Sequence, residues 1–311
     1  MEEKKESNEG QSKEKFGKKV ARFHNKYYKH LLLIPAIILL FSFIYMGIFY
    51  YNNGDFMHKD ISLTGGTSIT IHERIDTNEL KSYLSDKLES LTVREISDLI
   101  TREQISVIVE TISDLETTRA VLEDYLGYAL TDENSSLEFT GSALSEGFFK
   151  QLLFAVFLAF VFMALVVFLI FRSFVPSLAI ILAAFTDIFM TLAVFNLLGM
   201  QMSTAGIVAF LMLIGYSVDT DILLTNRVLK RHEDSLNRRI FSAFKTGITM
   251  TLTSLLAIII ALLIVSSFSA VLTKIFTVLV IGLSFDLLNT WITNVSILKW
   301  YVKRKESRNE A

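Results

Sequence analysis

Asp219 and Asp221 stand where the chain passes from apolar to basic. Residues 211–233 read LMLIGYSVDTDILLTNRVLKRHE. The first half suits hydrocarbon, whereas Arg227, Lys230, Arg231 and His232 suit a polar phase. An ionised Asp at the centre of a membrane helix costs roughly 2.5–3.5 kcal/mol on insertion scales, so an intramembrane carboxylate is a functional candidate by default. Burial disfavours the charged form, which lets such a group bind and release a proton. At about 100° per residue the two carboxylates point about 200° apart and cannot serve one pocket on one helix face. Asp221 is expected to reach the interface or a salt bridge with Arg227 or Lys245. Asp219 lies deeper and is the first proton-relay candidate, followed by Asp221 and Asp187. Gly215, four residues before Asp219, lets another helix approach or loosens the backbone. Asp286, Asn289 and Asn294 lie in the last apolar block, where hydrogen-bonded glue between helices is the preferred role. For Asp187 the two roles balance. Thr246, Thr249, Thr251, Thr253 and Ser254 either line a hydrated path or satisfy their own i−4 carbonyls.

These residues need a membrane scaffold, and the composition supplies one. Of 311 residues, 51% are hydrophobic, and they fall in blocks long enough to span. About 20 apolar residues cross a hydrocarbon core of about 30 Å. Spans are expected at 31–51, 148–171, 178–198, 204–224, 246–265 and 274–298. The first block lacks a small-residue cleavage site and reads as an uncleaved helix. Lys and Arg are asymmetric: 9 in residues 1–30, 1 in 172–177, 6 in 225–245 and 5 in 299–311, with none in the short loops 199–203 and 266–273. The positive-inside rule then puts both termini in the cytoplasm. Lys18, Lys19, Arg22, Lys26 and Lys29, just before the first span, read as a topological anchor. Residues 225–245 read as a basic amphipathic linker, and 299–311 as a basic tail. There is no cysteine, and the 5 histidines form no ligand spacing, so no metal and no cofactor is assigned. No nucleophile–base pair or phosphate loop points to an enzyme, and nothing points to nucleic acid.

Residues 52–147 form an extracytoplasmic domain with 19 acidic and 7 basic residues, a net charge of −12. Residues 61–71 (ISLTGGTSITI) read as a strand interrupted at Gly65-Gly66. Asp76 caps a helix over 76–89, and a Ser113/Glu116 box opens a second over 113–126. Strands are expected at 93–99, 104–110 and 136–139. The order β-α-β-β-α-β is the ferredoxin-like pattern.

Several stretches resemble one family. IGYSVDTDILLTNRVLKR is similar to the fourth-helix signature of the SecD/SecF family, protein-export membrane proteins of the RND superfamily. DISLTGGTSITI, with Asp60, Gly65 and Gly66, resembles that family's motif after the first helix. FTGSALSEGF (139–148) resembles the return to the second helix, and TLTSLLA (251–257) a fifth-helix motif. One small outer domain resembles the SecF branch, of archaeal type. Aligned on Gly215, Asp219 takes the position of the SecD carboxylate. Lys245 stands near the place of a fifth-helix Arg. The resemblance implies a polytopic RND-like half of six helices that pairs with SecD as the other half. It also implies action with the Sec translocation channel on unfolded exported polypeptides, coupled to the proton gradient. A passive assembly subunit, or half of an exporter of small apolar molecules, are the competing functions.

Overall fold

The computed structural model describes residues 31–98, 101, 103–230, 235–266 and 269–309. The basic anchor before the first span, and Arg231 and His232, lie outside the described residues. The first membrane helix, α1, runs Leu33–Asn53 and ends on Gly54 in the left-handed conformation. The small domain that follows, expected on the outer side, forms a one-turn helix α2 (Ile61–Thr64), β1 (Gly66–Ile71), α3 (Thr77–Ser85), β2 (Thr92–Ser97), β3 (Gln104–Thr111), α4 (Leu115–Leu126) and β4 (Ser135–Thr140). The remaining membrane helices are α5 (Ser142–Phe171), α6 (Phe174–Leu197), α7 (Thr204–Lys230) and α8 (Leu236–Val265). A last helix joins α9 (Ala270–Leu288) through a π turn (Asn289–Asn294) to α10 (Val295–Asn309). Among the described residues, six helices are long and apolar enough to cross a membrane.

The sheet order is β2-β3-β1-β4, and every neighbouring pair is antiparallel. That is the ferredoxin-like arrangement. Ile69, Ile71, Val107 and Val109 alternate inward from the central strands and meet Leu80, Leu84 and Leu122 of the two helices. Two local expectations are corrected. Residues 61–71 are not one interrupted strand. Asp60 accepts the Ser62 N–H at 2.9 Å and turns 61–64 into a helical cap motif before the strand begins. The second helix is capped by Asp114, not Ser113. Its carboxylate takes the Thr117 N–H at 2.9 Å, a bond that holds the Asp114 carboxyl below the usual carboxylate range. Ser113 instead pairs with Thr111.

Gly65 and Gly66 sit where the chain passes from α2 into β1, with φ of 79° and 144°. A Cβ on Gly65 would stand 2.5 Å from Ser142 Cα, and one on Gly66 2.3 Å from Thr111 O. Both obstacles are backbone. Either Gly→Ala change is expected to cost about 1–3 kcal/mol from the disfavoured conformation alone, and more from the clash. Thermal unfolding of the purified chain checks this.

The membrane helices run further than the hydropathy blocks. Residues 225–230 continue α7 and 236–245 begin α8, so most of the expected basic linker is helix. The expected basic tail is helical through Asn309. Pro176 lies in the first turn of α6, where its missing N–H breaks no intrahelical bond, so the helix starts at Phe174 rather than after the proline. α6 and α7 are the most enclosed of the six, whereas α5 and α8 present Phe and Leu outward, as a lipid-facing surface should. Small residues permit the central contacts. The side chain of Leu213 on α7 fills the space a Cβ on Gly282 of α9 would take, at 2.4 Å, and Trp291 does the same at Gly247 of α8, at 2.5 Å.

Candidate functional site: carboxylates buried between three helices

Asp187 of α6, Asp221 of α7 and Asp286 of α9 are all fully buried, at 0% exposure. Asn289, Thr290 and Asn294 from the π turn and Ser217 from α7 complete the cluster. Asp187 accepts from Ser217 Oγ at 2.7 Å on one oxygen and from Asn289 Nδ2 at 2.6 Å on the other. Asp221 Oδ1 accepts from Asn294 Nδ2 at 2.7 Å and from Thr290 Oγ1 at 2.8 Å. Thr290 Oγ1 also lies 3.2 Å from Asp286 Oδ1. These bonds involve only neutral side-chain partners.

The π turn makes this convergence possible. In an ideal α-helix, positions four apart drift by about 40°. The wider turn at Asn289–Asn294 takes up that drift, so Thr290 and Asn294 both reach Asp221 while Asp286 stays beside Thr290. Trp291 sits in the same turn and packs edge-on against Phe244 of α8, with ring centroids 5.1 Å apart.

The hydrogen count at Thr290 is informative. A hydroxyl carries one hydrogen. It can donate to Asp221 or to Asp286, and the second contact is a hydrogen bond only where that carboxyl itself carries a proton. The remaining oxygens, Asp221 Oδ2 and Asp286 Oδ2, are buried with no partner among the described residues. Asp187 differs, since donors occupy both of its oxygens.

The cluster unites Asp187, Asp221, Asp286 and Asn289, but not Asp219. Asp219 lies on the exposed side of α7 with Gly215 and Tyr216. The two carboxylates of the opening segment thus face opposite ways, as the helical angle requires. The expected salt bridge from Asp221 to Arg227 or Lys245 is corrected: Arg227 bonds Ser242 of α8, and Asp221 turns inward to the π turn. Lys245 and Thr253 lie on the exposed face of α8, and Thr253 Oγ1 bonds the Thr249 carbonyl at 2.9 Å. Thr246 and Thr249 likewise bond carbonyls four residues back, so these three hydroxyls satisfy their own backbone. Ser217 and Thr290 escaped the sequence reading. Their signal was spacing, since each stands four residues from a cluster carboxylate.

Asp60 has a second role. Its carboxylate forms a buried ion pair with Lys274 at the start of α9. Its N–H donates to Met202 O at 2.9 Å, and Ser62 Oγ accepts the Thr204 N–H at 3.0 Å. The seat of the outer domain is thereby fastened to the α6–α7 loop and to the last helix.

A model of the family "Protein export membrane protein SecD/SecF, C-terminal" matches residues 121–304. The protein-export membrane protein SecF of Methanocaldococcus jannaschii is 40% identical over 284 residues, covering 89% of this chain and 96% of the relative. SecF of Pyrococcus furiosus is 34% identical over 282 residues, covering 90% and 93%. Among solved structures, SecDF of Thermus thermophilus, described as a translocon-associated membrane protein, aligns with a TM-score of 0.70 at 20% identity. That alignment covers 89% of this chain and 38% of SecDF, and at this identity the likeness is one of fold.

Proposed function

We propose, on the premise that the chain belongs to the SecD/SecF family of protein-export membrane proteins, that its buried carboxylates couple proton occupancy to helix packing. The chain is a multi-pass membrane protein of the Sec export machinery, alike in sequence to SecF over nearly all its length. The observation that carries the coupling is the single hydroxyl of Thr290 between carboxyls on two different helices, Asp221 and Asp286. A proton arriving or leaving there changes which groups donate, and so changes the preferred spacing of α7 and α9. Asp187, satisfied on both oxygens, holds α6 to the same site. No covalent chemistry is required.

Thr290→Val keeps the shape and removes the bridge. Export in cells carrying this variant should lose its dependence on the proton gradient, while a tagged partner still co-purifies. Unchanged, gradient-dependent export would sink the coupling reading and leave the cluster as glue.

The partner in this reading is SecD, which supplies the second six-helix half in the cytoplasmic membrane, with the termini of this chain inside. Asp219 and Gly215 support it. A carboxylate left facing lipid is costly, so a second half covering that face of α7 removes the cost. A Cβ on Gly215 meets nothing within 4 Å in the chain itself. Gly215→Ile is therefore expected to leave the melting temperature nearly unchanged, yet to release SecD on purification. Retention of SecD would move the interface elsewhere. The outer domain acts on exported polypeptides at the exterior; a single cysteine at position 90 that reacts only from the cytoplasmic side would overturn that orientation.

A further inference from the structure

The end of the last helix carries a feature that export does not use. A cavity of about 380 Å³ lies between α10 and the start of α6, lined by Val175, Trp300, Tyr301, Arg304, Lys305 and Arg308. We propose that it binds the phosphodiester headgroup of an anionic phospholipid, with the glycerol and upper acyl chain lying against Val175 and Trp300. The site deepens the membrane reading above and rests on the placement of α10 at the bilayer edge. It does not depend on proton coupling or on SecD.

The helix phase builds the site. Trp300, Arg304 and Arg308 are spaced four apart and form one stripe, while Tyr301 and Lys305 form the next. The Arg304 guanidinium lies 5.2 Å from the Trp300 ring centroid, a cation–π contact between two residues that line the pocket. Arg304, Lys305 and Arg308 are exposed, and among the described residues none of the three makes an ion pair. Arginine's planar fork matches phosphate oxygens two at a time. Three unpaired cations around one small pocket therefore fit an anion.

The rest of the lining decides which anion. Val175 is half-buried and leads into the apolar run 178–182, and Trp300 is 45% exposed and follows Ile297 and Leu298. A soluble anion gains nothing from such a floor, whereas a phospholipid continues into it. Trp and Tyr at this position are the residues that settle at headgroup depth. Each basic side chain near an anionic leaflet favours association about fivefold. A nucleic acid would instead need cations projecting clear of the bilayer edge.

The test uses the full chain in vesicles. It contains 2 tryptophans, and Trp291→Phe leaves Trp300 as the reporter. Brominated phosphatidylglycerol, as a minor component in phosphatidylcholine, should quench Trp300 far more than the same fraction of brominated phosphatidylcholine. R304Q/K305Q/R308Q should reduce that preference by up to about a hundredfold, and high salt should weaken it as well. Added inorganic phosphate should leave it intact. Equal quenching by the two lipids overturns the proposal. So does a preference that survives the triple variant, or one that phosphate abolishes. Quenching by neither lipid also overturns it, and places the fault in the membrane position of α10. Native mass spectrometry of the chain with both tryptophans repeats the comparison without the Trp291 change: phosphatidylglycerol should stay bound to the parent chain and not to the triple variant.

Discussion

Asp221→Asn is expected to cut gradient-driven export by about 5- to 150-fold, the span of a coupling free energy of about 1–3 kcal/mol. The substitution keeps the shape of the side chain. Its remaining oxygen still accepts from Thr290 and Asn294, so the junction of α7 with the π turn survives. What it loses is the capacity to exchange a proton. The chain should therefore purify normally, melt within a few degrees of the parent, and retain SecD. Export measured with and without a proton gradient, in cells whose only copy is the variant, reads the effect directly. Asp187→Asn gives the contrast. Both oxygens of Asp187 are engaged by donors, so an amide there either opposes the Asn289 donor or forces the Ser217 hydroxyl from donor to acceptor, and should lower stability first. If Asp221→Asn exports as the parent does, with the same gradient dependence, the proton-exchanging role falls.

Lys274→Met is expected to destabilise the chain by about 3–5 kcal/mol, the cost of leaving one member of a buried pair without its counter-charge. Lys274 and Asp60 are 6% exposed each, so water cannot replace the lost partner. Asp60 also caps α2, and an Asp60→Asn change keeps an acceptor for the Ser62 N–H. The double variant Asp60→Asn/Lys274→Met removes both charges and the penalty together. It should regain most of the loss, as seen by denaturant unfolding in detergent. Equal damage from the single and double variants would mean that packing, not charge, dominates at this seat. The effect should also reach function, because the same pair fixes the outer domain to the last helix.

The six spans and the ferredoxin-like outer domain were legible because their signals are local. A 20-residue apolar block, a capping Asp and an alternating strand each lie within one window. Helix ends were less legible. Arg227, Lys230, Arg238 and Arg239 look like a linker by composition, yet basic residues are good helix formers and carry α7 and α8 past the hydrocarbon. The site was legible in part. Helical angle alone separated Asp219 from Asp221, but which one turned inward depended on Thr290 and Asn294, some seventy residues away. Lys274 opens the sixth expected span, and its pairing had no local signal because Asp60 is 214 positions distant. The π turn had no local signature that helical periodicity could detect.

The last helix meets the outer domain at Lys274 and the carboxylate cluster at Asp286, 12 positions on along one uninterrupted stretch of α9. That interval is about 18 Å and three and one-third turns, so the two side chains point about 120° apart. The helix works as a keyed shaft, with its angular setting fixed at both ends. Most substitutions between the keys leave the setting alone, Gly282 excepted, because Leu213 fills the space of its missing Cβ. An inserted or deleted residue would rotate one key by about 100° relative to the other and disengage it. Length, more than composition, is what the interval between Lys274 and Asp286 must preserve.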